Sequence, residues 1–292
     1  MSTPSQRQLF NILLVPNTQT AARKARSGTF TDNLNLPVHR WFRYSAGFSA
    51  EWVEQIIREL SPAAVLDPFA GSGTTLLAAE AAGVAAFGYE SHPLVARIAA
   101  AKTHWHHPPE KVIKASKELL RIASNNIKVE IGEVPDLLVK CYTPEALRHL
   151  YALREAYFIL SNGIERAISE LLWLAITAIL RSCSYVGTAQ WQYVLPNKRK
   201  SKTLSPFEAF EQKIAEMISD METMKARGCR EDAEIIQHDA RKACDSISPN
   251  SIDLVITSPP YPNNYDYADA TRLEMTFWGE IKGWGDLQET VR

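Results

Sequence analysis

The sequence predicts an α/β fold in which parallel-type strands run into ligand-facing loops, interrupted by a long helical insertion. Three observations carry that prediction. Ala63-Ala64-Val65-Leu66-Asp67 is an apolar run that enters Pro68-Phe69-Ala70-Gly71-Ser72-Gly73-Thr74-Thr75 and then the helix-forming stretch Leu76–Ala82. Ala85–Glu90 follows as a second strand that ends in an acid, about 20 residues after Asp67, the spacing of a ribose-binding carboxylate in doubly wound nucleotide sites. Near the C-terminus, the apolar run Ile252–Ile256 stops in Thr257-Ser258-Pro259-Pro260-Tyr261.

Each junction has its own chemistry. In the first, glycines let backbone approach a ligand, and the helix start offers unpaired N–H groups. No Gly-Lys-Ser/Thr follows, which excludes a phosphate loop, and the third glycine of the dinucleotide fingerprint is missing. The turn begins with Asp67 instead, which suits an amino-bearing ligand such as a nucleoside carrying an amino acid. In the last junction, Pro259 and Pro260 fix φ and remove two donors, so the strand ends in a stiff loop with free carbonyls. A serine hydroxyl before the prolines and a tyrosine ring after them suit a planar group bearing an NH2.

Between these junctions the elements follow in order. Residues 1–36 form a polar N-terminal extension, expected to be partly disordered. Residues 37–108 make the first, cofactor-binding part of the main domain; Ser49 caps a helix over Glu51–Leu60 whose Val53, Ile56, Ile57 and Leu60 share one stripe. Residues 109–232 form the helical insertion. Thr143-Pro144-Glu145 starts one of its helices, Glu165–Ser182 is apolar almost all round, and Ser205-Pro206-Phe207-Glu208 reads as a capping box. Met217, Met221 and Met224 fall on the core stripe of that last helix, and Lys198-Arg199-Lys200 with Lys202 reads as a basic loop, solvated by default. Residues 233–292 complete the domain with strands Glu234–Gln237 and Ile252–Ile256 and the proline loop, after which Asn263, Asn264, Tyr265 and Asp266 offer polar groups.

Asp67–Thr75 together with Thr257–Tyr261 resembles the S-adenosylmethionine-dependent DNA amino-methyltransferases, which methylate the exocyclic amine of cytosine or adenine. Ser-Pro-Pro-Tyr, in place of Asp-Pro-Pro-Tyr, is similar to the cytosine-N4 branch. Tyr44–Val53, with Phe48, resembles the segment that covers the cofactor. Ile235–Arg241 resembles the strand whose terminal acid, here Asp239, holds the adenine amine. The resemblance spans about His39–His107 and Ala233–Gly279. It implies a Rossmann-like methyltransferase fold and S-adenosylmethionine as cofactor. The implied cofactor contacts are Phe48, Asp67, Pro68, Phe69, Gly71, Gly73, Thr74, Thr75, Glu90, Asp239 and Ala240; the implied catalytic loop is Ser258, Pro259, Pro260 and Tyr261. DNA is the implied substrate, in a restriction-modification setting. The family's sheet has seven strands, whereas four candidates occur here and the later strands have no counterpart before Arg292. The expectation is an N-terminal fragment, or a chain whose sheet a partner chain completes.

Composition narrows the alternatives. With 292 residues, 46% hydrophobic and 22% charged, the chain is an ordinary globular one, and its net charge of −1 gives no global field for nucleic acid. The 4 cysteines are scattered and none follows a proline, which disfavours a zinc site, a disulfide framework and the carbon-5 cytosine reaction. Free thiols point to the cytoplasm, and Leu171–Leu180 is too short to span a bilayer. His104, His106 and His107 lack a matching ligand cluster, so no metal is expected. Methylation of an RNA base amine, of a small molecule or of a protein, and an inactive cofactor-binding subunit, are the competing readings.

Overall fold

The computed structural model describes residues 30–127, 132–188, 194–229, 233–259, 266–283 and 285–286. It is a mixed α/β structure around a parallel sheet, as the strand and helix patterns predict. Helix α1 (Ala50–Leu60) leads into β1 (Ala64–Asp67), α2 (Thr74–Ala82), β2 (Ala85–Glu90) and α3 (Pro93–Thr103). The chain then makes α4 (Pro109–Asn126), α5 (Asp136–Cys141), α6 (Pro144–Ser161) and α7 (Arg166–Cys183), a hairpin of β3 (Val186–Thr188) and β4 (Val194–Arg199), and α8 (Pro206–Ala226). It returns to the sheet through β5 (Ala233–Gln237) and β6 (Leu254–Val255), and α9 (Tyr267–Trp278) follows.

Strand order is β5-β2-β1-β6, all parallel, with Leu66 beside Phe87 and Val255, and Glu90 beside Gln237. The C-terminal ends of β2 and β5 therefore sit side by side, at the edge where α/β sheets place ligands. One sheet face packs Val65, Ala86 and Ile256 against Val53 and Ile57 of α1 and Leu76 and Ala79 of α2. Gly88 has no alternative there: a Cβ would lie 2.8 Å from both Ala70 Cβ and Leu76 Cδ1. The other face carries Leu66, Phe87, Tyr89, Ile236 and Val255, none fully buried, with Val255 55% exposed. A second core joins α3 to α4, α6, α7, α8 and α9 through Ile98, Leu119, Leu153, Trp173, Phe210 and Phe277.

Local signals mostly act as expected. The Ser49 hydroxyl accepts from the Trp52 amide at 3.3 Å and the Thr143 hydroxyl from the Ala146 amide at 3.2 Å. Met217, Met221 and Met224 are buried in α8. Several expectations need correction. Ser205 starts α8 without a side-chain capping bond; Pro206 at the first helical position serves instead. Leu60 is 50% exposed, because the Val53–Ile57 stripe of α1 meets the sheet and the last turn runs past it. The apolar run at 252–256 is a two-residue strand; ahead of it, the Asp253 carboxylate takes the Ala63 and Ala64 amides at 2.9 and 3.1 Å. Lys198 and Arg199 lie on strand β4 and not in a loop, Arg199 over the Tyr185 ring at 4.9 Å, and Lys200 donates to the Arg181 carbonyl at 2.6 Å. Within the extension expected to be partly disordered, Asn33 is buried, accepting from the Ala50 amide at 2.9 Å and donating to the Phe48 carbonyl at 2.8 Å. Among the described residues, no helix is long and apolar enough to cross a membrane.

Candidate functional site

The site grows from the turn between β1 and α2. Gly71 has φ +53°, where a side chain is strained, and a Cβ would sit 3.3 Å from the Tyr44 ring laid over it. Asp67, fully buried beneath the turn, accepts from the Phe69 amide at 3.0 Å and from the Thr75 hydroxyl at 2.6 Å. Burial raises its pKa, while the hydrogen bonds from Thr75 and Phe69 and the nearby Thr257 hydroxyl oppose the shift. Thr257 opens the Ser-Pro-Pro segment, so one carboxylate braces the glycine turn and faces the root of the proline loop.

The acid at the end of β2 closes the turn from the other side. Glu90 accepts from the Gly71 amide at 3.0 Å and from the His92 amide at 2.7 Å, and the Ala70 amide donates to the Tyr89 carbonyl at 2.9 Å. Burial raises the Glu90 pKa, opposed first by the His92 and Gly71 amides. Asp239, just past β5, is paired with Arg241 at 2.8 Å, and that guanidinium holds its carboxyl well below the ordinary range.

These groups surround a cleft of about 570 Å³ at the C-terminal ends of β2 and β5. Tyr44, Phe69 and Gly71, the end of β2 with Tyr89–His92, residues 237–242 and Ser258 all line it. Of the residues singled out from the sequence, the structure brings Pro68, Phe69, Gly71, Glu90, Asp239, Ala240 and Ser258 together here. Asp67, Gly73, Thr74 and Thr75 do not line the cleft; their place is behind it, holding the turn and the first turn of α2. Phe48 packs edge-on to Trp52 at 6.2 Å and against the α1–sheet core, also outside the lining. Pro259 is exposed, and Pro260, Tyr261, Asn263, Asn264 and Tyr265 lie outside the described residues. His107 pairs with Glu165 at 3.2 Å, and among the described residues no group of three or more metal-ligating side chains occurs.

Sequence reasoning named Tyr44 only as the start of the covering segment Tyr44–Val53, and missed two further residues at this site, His92 and Lys102. Tyr44 covers the turn. His92, buried, bonds Thr271 of α9 through Nε2 at 2.8 Å, and burial lowers its pKa to about 4. Lys102, on α3, is buried and donates to the carbonyls of Ser72 and His39 at 3.2 and 3.3 Å. Its signal was a lysine on a mostly apolar helix, among Leu94, Val95, Ile98, Ala99 and Ala101. A larger hollow of about 1080 Å³ opens between α5, α6 and α9, beside Arg148, Tyr151, Arg154 and Arg272; it contains none of the motif residues.

The donor set fits S-adenosylmethionine: carboxylates at the ends of adjacent strands accept from hydroxyl and amino groups, and the open turn admits close backbone contact. Residues 2–101 match a protein-family model described as DNA methylase. The chain is 26% identical over 297 residues to Type II methyltransferase M.BsoBI of Geobacillus stearothermophilus, covering 92% of this chain and 57% of that one. It is also 26% identical over 294 residues to Type II methyltransferase M.AvaI of Nostoc sp. and of Anabaena variabilis, covering 86% of this chain and 56% of theirs. The chain thus spans little more than half the length of these relatives. No solved structure matches it. The family's cofactor is S-adenosylmethionine. In its N-terminal third the chain is similar to the DNA methylase family, and over most of its length it is similar to two Type II methyltransferases.

Proposed function

We propose that the chain is a cytoplasmic S-adenosylmethionine-dependent DNA methyltransferase, acting on the exocyclic amine of a flipped base, cytosine N4 in preference to adenine N6. The observation that carries the reading is the single cleft that unites the glycine turn, Glu90, Asp239 and Ser258. In it Glu90 takes the ribose hydroxyls and Asp239 the adenine amine, with Pro68, Phe69 and Gly71 against the remainder of the cofactor. When bound, the cofactor supplies a methyl group made electrophilic by its sulfonium.

The chain's own task is to prepare the amine. An exocyclic amine is a poor nucleophile because its lone pair is delocalised into the ring. Ser258 Oγ and the Pro259 carbonyl each accept one of its hydrogens, drawing the nitrogen toward tetrahedral geometry and localising that pair. Tyr261 stacks on the base once it has left the helix, a contact of about 1–3 kcal/mol. The proton shed on methylation is acidic and passes to solvent without a strong base, which is compatible with serine where other members carry aspartate. Serine in that place supports cytosine N4.

The test is incubation of the full chain with labelled S-adenosylmethionine and unmethylated duplex DNA, followed by nucleoside mass spectrometry. N4-methylcytosine is expected; N6-methyladenine overturns the base assignment, and label in structured RNA alone overturns the substrate. A second reading, a cofactor-binding subunit whose sheet a partner chain completes, draws on the edge strand β6. Among the described residues it pairs with β1 alone, and Val255 is 55% exposed. S-adenosylmethionine binding without turnover, with methyl transfer restored by adding a second chain, favours that reading.

A further inference from the structure

Lys102 stands out as a charge that the fold has no evident use for. Its side chain is buried, and its Nζ donates to two backbone carbonyls, Ser72 at 3.2 Å and His39 at 3.3 Å. Among the described residues no carboxylate pairs with it, and the charged group it feels most is another cation, Lys213 of α8. The neighbouring His39 imidazole offers no negative charge; burial, and then Lys102, lower its pKa to about 3. Burial and Lys213 in turn push the ammonium down to about 7. A buried ammonium without a counter-charge opposes folding, and an apolar side chain of the same length fills such a space at less cost. Groups of this kind concentrate at functional sites.

Its position supplies the reason. Ser72 belongs to the 68–73 turn, and the next residue, Gly73, starts α2 without a side-chain cap. The ammonium therefore grips the turn from behind, next to a helix N-terminus whose dipole already favours anionic groups. We infer that Lys102 is a positioning residue for the cofactor: through the Ser72 carbonyl it holds the turn in its ligand-facing shape and places positive charge behind it, at the expense of stability. The inference rests on the proposed reading of the cleft as the S-adenosylmethionine site.

The experiment is calorimetric titration of the full chain with S-adenosylhomocysteine, beside thermal melts, for wild type and Lys102→Met. The expected result is binding about tenfold weaker or more in Lys102→Met, from loss of a charge-assisted hydrogen bond, with a melting temperature equal to or above wild type. Wild-type affinity should also fall between about pH 6 and pH 9 as the ammonium discharges, and the Lys102→Met profile should lack that component. Equal affinities overturn the inference. So does a Lys102→Met chain that melts well below wild type, since Lys102 then serves the fold. A wild-type chain that binds no S-adenosylhomocysteine instead fails the reading of the cleft, in a titration separate from the comparison of variants.

Discussion

The Glu90 carboxylate accepts a hydrogen bond from the Gly71 amide at 3.0 Å, so the end of β2 is fastened to the turn that follows β1. The same carboxylate takes the His92 amide at the start of α3. One side chain thus sets the relative position of two strand ends and a helix N-terminus, and the same residue lines the cleft.

Gly71→Ala tests the turn. Its φ of +53° and the Tyr44 ring 3.3 Å from a new Cβ penalise any side chain. We expect a loss of about 1–2 kcal/mol of stability in urea unfolding. A larger relative loss of S-adenosylhomocysteine affinity should appear by calorimetry, because the shifted turn lines the cleft.

The carboxyls of the site predict a pH dependence. Burial raises Asp67 and Glu90 above their ordinary 3.8 and 4.5. A carboxyl raised on folding keeps its proton in the native chain after the unfolded chain has lost it. The stability from these groups is therefore full below the ordinary values and lost as pH climbs through the folded ones. Urea midpoints of the wild type should include a fall over this range, and Glu90→Gln should show a shallower slope. Parallel slopes would show that Glu90 ionises as it does in the unfolded chain.

Asp220 anchors the segment that leads over the turn. Buried in α8, it accepts from the Val38 amide at 3.0 Å, Arg40 Nε at 3.0 Å and Trp41 Nε1 at 2.9 Å. Asp220→Ala leaves four N–H donors, from Val38, Arg40 and Trp41, without their acceptor, for an expected loss of about 3–5 kcal/mol less a discount for the partly exposed Arg40. Chemical denaturation measures the loss. Cofactor affinity should fall with it, since residues 38–44 carry Tyr44 onto Gly71.

Ser258→Ala separates chemistry from binding. With the hydroxyl gone, one of two acceptors for the target amine is lost, and methyl transfer should fall on the order of 100-fold. S-adenosylhomocysteine affinity should stay within about twofold, because in the proposed reading Ser258 meets the target amine and not the cofactor. Unchanged transfer in an active wild-type background would remove the proline loop from the mechanism.

Strand, glycine turn and helix at 63–82, the acid at Glu90 and the abrupt end of the strand before Ser258 were legible in the sequence, because apolar runs, turn residues and helix formers act over a few neighbours. The same local rules named Ser49 and Thr143 as caps. They could not show that Asp67 would turn inward to Thr75, that Glu90 would reach Gly71, or that Ser205 would leave its capping bond unmade. Nor could they find the hairpin at 186–199, whose pairing depends on register between two short runs, or the burial of Lys102, which requires α3, α8 and the 38–41 segment to close over one ammonium. By itself the sequence determined most of the element types and the residue types placed in the two loops, through short-range sterics and periodicity. The tertiary structure alone decided which acids face the cleft and which brace it, because that depends on the packing of strands and helices far apart in the chain.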